Sequence, residues 1–92
     1  MINIANAIPT ISTRLKTLPK NHFLELRTFK KDRSIKIVRI TENELLVIEN
    51  GYEKKEFRIA ANKLKKTLKN LIKKEFPRSN KAHLHSEEHT SP

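Results

Sequence analysis

The sequence predicts an α+β fold: a four-stranded antiparallel meander followed by one C-terminal amphipathic helix, a β4α domain. Three observations predict it. Four runs rich in Ile, Leu, Val and Phe lie between residues 22 and 59, each bounded by polar breakers. Asn50-Gly51 falls between the last two runs, where a tight hairpin turn favours that pair. Beyond residue 60 the apolar residues recur at spacings of three and four until Pro77.

The elements follow in order. In residues 1–21, Thr10 can cap a short helix with Ile11, Leu15 and Leu18 on one face, ended by Pro19. This segment is expected either to cover a sheet face or to serve as an arm that meets a partner. The strands are expected at His22–Phe29, Ser34–Thr41, Glu44–Glu49 and Tyr52–Ile59, with turns at Lys30–Arg33 and Glu42-Asn43. A type I′ turn at Asn50-Gly51 sets Ile48 against Glu53, Leu46 against Lys55 and Glu44 against Phe57. That register turns Leu46, Ile48 and Phe57 toward the helix and leaves Leu45, Val47 and Tyr52 on a second face. A covering segment, a nucleic acid or a second copy of the chain would then occupy the second face, so a homodimer through it is expected as an option. The helix spans residues 60–76, with Ala61, Leu64, Leu68, Leu71, Ile72 and Phe76 forming its apolar stripe. Residues 77–92 are polar, without periodicity or net charge, and read as a disordered tail. The organisation is an arm or cover (1–21), a basic β4α domain (22–76) and a polar tail (77–92). This order of elements is similar to that of small β4α single-strand-binding proteins, a likeness of architecture.

Charge carries the functional expectation. Twenty Lys and Arg face ten Asp and Glu, a formal net charge of +10. An excess of that size opposes compaction and points to an anionic partner. It is unevenly spread: residues 27–39 carry +5, residues 60–76 carry +5, and residues 40–59 carry −2. On the helix, Lys63, Lys66, Lys69, Lys73 and Lys74 lie opposite the apolar stripe, with Lys65 at its edge. Glu75 is the only acidic residue of that helix, so the lysines lack the mixed signs of a purely solubilising face. In the first hairpin, Arg27, Lys30, Lys31, Arg33, Lys36 and Arg39 face Asp32 alone. A loop at Lys30–Arg33 would set Arg27 directly opposite Lys36, two like charges that an anion between them would relieve. Phe23, Phe29 and Tyr52 are candidate stacking partners for unpaired bases, with Tyr52 and Phe29 the better placed.

Other chemistry finds little support. There is no cysteine, hence no thiol nucleophile or Cys-based zinc site, and the composition suits a reducing, cytoplasmic setting. The start lacks the pattern of a secretion signal, and the longest apolar run, Leu45–Ile48, is far too short to span a membrane. No Gly-rich phosphate loop occurs. His83, His85 and His89 lie in a polar segment and are expected to be solvated, so no metal or other cofactor is assigned. His22 beside basic residues is the one candidate for acid–base cleavage of RNA. The expectation is a non-enzymatic module that binds DNA or RNA through the sugar-phosphate backbone, single strands included. Its alternative is an interaction module or inhibitor that docks on an acidic protein.

Overall fold

The computed structural model describes residues 2–28, 33–51, 53–76 and 81–88. These residues form six antiparallel strands and two helices, which corrects the expected four-stranded meander with a single C-terminal helix. The strands are β1 (Ile2–Asn3), β2 (His22–Thr28), β3 (Ser34–Arg39), β4 (Glu44–Asn50), β5 (Lys54–Ala60) and β6 (Lys81–Glu88). The helices are α1 (Ala7–Leu15) and α2 (Leu64–Glu75), each entered through one 3-10 turn. The sheet order is β1-β6-β2-β3-β4-β5.

The meander β2 to β5 is present close to its expected bounds. The segment expected to be a disordered tail instead supplies β6, inserted between β1 and β2. Its sequence has a period of two: Ala82 and Leu84 lie on the core side of the sheet, and Lys81, His83, His85 and Glu87 on the other. With two apolar residues of modest size, that alternation is masked by the polar composition around it.

The register also differs from expectation at both hairpins. Val47 pairs Phe57, Leu46 pairs Arg58 and Ile48 pairs Glu56. The β4–β5 connection takes residues 51–53, and Gly51 does not have the positive φ that a type I′ turn requires. An odd shift of register exchanges the faces. Leu45, Val47, Phe57 and Ile59 therefore face the helices, and Leu46 and Ile48 lie on the other face. At the first hairpin, Glu25 pairs Lys36 and Arg27 pairs Ser34, so opposite charges stand where two cations were expected to meet.

Both helices lie on the same face of the sheet. α1 begins at Ala7, with Asn6 rather than Thr10 at its N-cap, and Pro9 is accommodated in its first turn. It ends at Leu15, before Pro19, and Asn21 takes a left-handed conformation (φ 68°) that leads into β2. Ile11 and Leu15 of α1 and Leu64, Leu68 and Leu71 of α2 close one core over Leu24, Leu26, Ile35, Ile37, Leu45 and Val47. The N-terminal segment therefore covers the helix side of the sheet and lies off the open face, on which Phe23, Glu25 and Val38 are nevertheless buried.

Candidate nucleic-acid interface

The helix layer is basic throughout. Residues 4–20 and 61–74 contain no Asp or Glu, and they carry Arg14, Lys16, Lys20, Lys63, Lys65, Lys66, Lys69, Lys73 and Lys74. All of these except Lys74 are exposed. Along α2 the lysines at 63, 66, 69 and 73 recur about one helical turn apart, roughly 5 Å along the axis. The apolar stripe of α2 is anchored by Leu64, Leu68 and Leu71, which fixes the lysines on its outward arc. Their mutual repulsion finds no acidic neighbour at i+3 or i+4 on that arc.

α1 extends this surface. Between α1 and the start of α2 runs a groove of about 360 Å³ whose polar lining is Ser12, Lys16, Arg39, Asn62 and Lys65. Sequence reasoning left out Arg14 and Lys16 and set Lys65 at the stripe's edge. The signal was present in the acid-free run of residues 4–20, but only the packing of α1 beside α2 gives it meaning.

The remaining cations from the sequence reading are engaged elsewhere. Arg39 binds main-chain carbonyls: Nη1 donates to Thr41 O (3.3 Å) and Glu42 O (2.8 Å), and Nη2 donates to Leu15 O. It ties the end of α1 to the β3–β4 turn. Arg33 Nη1 donates to the Glu75 carbonyl at 3.1 Å. Arg27 Nε donates to Glu25 Oε1 at 2.6 Å, on the open face of the sheet. Lys36 Nζ lies 4.4 Å above the Phe23 ring centroid on that same face. Lys30, Lys31, Phe29 and Tyr52 lie outside the described residues. The structure thus brings Lys63, Lys66, Lys69 and Lys73 together on one layer and places Arg27 and Lys36 on the opposite side of the sheet.

No family model, curated protein or solved structure matches this chain.

Lys74 belongs to a partly buried charge cluster at the far end of α2. Its Nζ stands 3.0 Å from Glu49 Oε2 and 3.0 Å from Glu53 Oε1, and Lys55 reaches Glu53 Oε2 at 2.7 Å. Glu49 and Glu75 are each only 1% exposed. Burial and the hydrogen-bonded carboxyl of Glu75 push Glu49 above the usual carboxylate range, against the pull of Lys74. Hydrogen bonds from Lys55 and Lys74 hold Glu53 below it. Hydrogen bonds to Glu49 and then Glu53 raise Lys74. This cluster locks α2 to the β4–β5 turn, where the Glu53 main-chain N–H also donates to Glu75 Oε2 at 3.3 Å.

The histidines are dispersed. His22, at the start of β2, lines a cleft with Arg14, Thr17, Ser86 and Glu87. His83 and His85 stand on the open face of β6, where His85 Nε2 lies 3.1 Å from Glu87 Oε2. Among the described residues, no three His, Cys, Asp or Glu side chains gather within reach of one metal ion. No described helix is long and apolar enough to cross a membrane.

Proposed function

We propose that the helix layer binds a nucleic acid, DNA or RNA, through its sugar-phosphate backbone, in the reducing setting that a cysteine-free chain suits. The observation that supports this is the helix layer, free of Asp and Glu over residues 4–20 and 61–74, whose exposed side chains include eight cations from Arg14 to Lys73. The open face of the sheet is different. It sets Glu25, Glu44, Glu56 and Glu87 among its cations, so a polyanion would meet carboxylates there as well as cations. Lysines act as point charges toward phosphates, so affinity on this reading comes from counterion release and carries little sequence preference. Phe23 is buried beneath Lys36 on the opposite face, which favours backbone contact over base stacking as the main source of affinity.

The test is a fluorescence anisotropy titration of single-stranded DNA, duplex DNA and RNA over a range of salt. Engagement of about five phosphates gives a slope near −4 to −5 in log affinity against log salt on a duplex. Exchanging Lys66, Lys69 and Lys73 for Glu should remove binding while leaving the circular dichroism spectrum unchanged. Unchanged affinity in that variant excludes this layer as the site. Absence of binding at low salt favours the second class of partner, an acidic protein docked on the same cations.

A further inference from the structure

The sheet ends on two unlike edges. At one, β1 presents two residues; at the other, β5 presents seven. No described strand pairs with the outer side of β5. The Ala61 N–H donates to Asn43 O at 2.9 Å and the Gly51 N–H donates to Glu53 O at 3.1 Å, one bond at each end of the β4–β5 ladder. Bonding alternates along an antiparallel ladder, so the odd-numbered residues of β5 exchange hydrogen bonds with β4. Lys54, Glu56, Arg58 and Ala60 turn their N–H and C=O groups outward, and all four residues are exposed. Long edges are ordinarily blunted by proline, a bulge or a row of lysines. β5 has no proline, its register with β4 is unbroken, and its outward residues carry both signs of charge.

From this edge we infer that β5 pairs antiparallel with β5 of a second copy of the same chain, about a two-fold axis at Phe57, joining the two sheets into one. The alternation admits only registers that set outward residues opposite one another. Centring the pair on Glu56 opposes Glu56 to itself and Lys54 to Arg58. Centring it on Arg58 opposes two arginines. Registers centred on Lys55 or Ile59 leave more than half of the strand unpaired. Centred on Phe57, the whole strand pairs, and Glu56 of each copy stands opposite Arg58 of the other.

This register is the self-complementary one, and each of its contacts occurs twice, as an isologous interface requires. Cross-strand pairs of opposite charge stabilise a sheet, and like charges destabilise it. Glu56 faces Ile48 within its own sheet, and among the described residues it has no ion-pair partner. The Arg58 side chain is 69% exposed, with Glu44 3.5 Å away, a loose pair that leaves guanidinium donors unused. On the helix side, the half-buried Phe57 meets its counterpart, and the half-buried Ile59 lies opposite the stem of Lys55. The axis is perpendicular to the sheet, so both helix layers lie on the same side of the joined sheet.

Sedimentation velocity of the full chain over a wide concentration range tests this. Each copy carries a formal charge of +10, so the measurement is made at about 0.15 M salt, where charges are screened over about 8 Å. The wild type is expected to sediment as a dimer at high concentration. Glu56→Arg and Arg58→Glu should each weaken association about tenfold or more, because each sets like charges opposite one another twice. An equimolar mixture of these two variants should associate as tightly as the wild type, since both cross-strand pairs are then opposite in sign. Glu56→Pro removes an N–H that β4 does not use, and should leave a monomer with an unchanged circular dichroism spectrum. A wild type that stays monomeric overturns the inference. So does a dimer indifferent to Glu56→Pro, or a mixture of the two charge variants that associates no better than either alone. Glu56 and Arg58 lie off the helix layer, so oligonucleotide binding by the same variants reports separately on the function proposed above.

Discussion

Glu49 shows how much a single side chain can decide. It sits on the core side of β4, continuing the row of Leu45 and Val47, at a position where a strand facing helices ordinarily carries an apolar residue. Its partners are Lys74 and Glu75 of α2, so the cluster binds sheet to helix by charge where the rest of the core does so by apolar contact. A carboxyl whose folded value is raised favours folding when protonated. That contribution is fully present below the ordinary value of 4.5 and is lost as pH rises through the folded value. Glu53 runs the other way: its value is lowered, so its contribution is present above 4.5 and is lost as pH falls through the folded value. In urea titrations, the stability of the wild type relative to Glu49→Gln should therefore decline as pH rises from below 4.5 toward neutrality. A constant difference would mean that Glu49 does not titrate on the helix side of the sheet as described. The same cluster explains the chain's single glycine. A Cβ at Gly51 would lie 2.8 Å from Glu75 Oε1 and 3.0 Å from Arg33 Cγ, so the residue is small because of close approach and not because of a left-handed turn.

At the scale of elements, α2 and the meander were legible because their patterns are long and their apolar residues large. Leu64, Leu68 and Leu71 were expected on one stripe and are buried there. Leu68 is fully buried between the helices and the sheet, so Leu68→Ala should cost about 2–5 kcal/mol in thermal or denaturant unfolding. A loss near zero would place the stripe elsewhere. The faces of the sheet were not legible, since they depended on the type of one turn. Asn50-Gly51 favours a two-residue connection locally, but the Val47–Phe57 and Leu45–Ile59 pairs are made only in the longer register, which buries Leu45 and Val47 and packs the half-buried Phe57 and Ile59 against the core. The strands at the sheet edge were hidden for different reasons. β1 has two residues, and β6 has only Ala82 and Leu84 to mark its inner side. Among the candidate site residues, the lysines of α2 could be grouped from the helical period alone. Arg14, Lys16 and Lys65 needed the packing of one helix on another, which no local pattern encodes.

The molecule as a whole separates its charges by layer. Cations crowd the helices, while the sheet's outer face balances both signs around Phe23, Val38, Leu46 and Ile48. The topology also dictates an order of assembly. β2 stands in the interior of the sheet, yet one of its neighbours is supplied by residues 82–88, paired against residues 22–28 across most of the chain. The hairpins of β2 to β5 close short loops and form early, whereas docking of β6 must close a long one and comes late. In the interval β2 is an unfinished edge bearing Phe23, Leu24 and Leu26, the kind of edge that recruits strands from other molecules. A chain shortened to end before Lys81 would hold that interval open indefinitely. It should scatter light and bind thioflavin on standing at concentrations where the full chain stays clear, and a clear solution would show that β2 is shielded without its late partner.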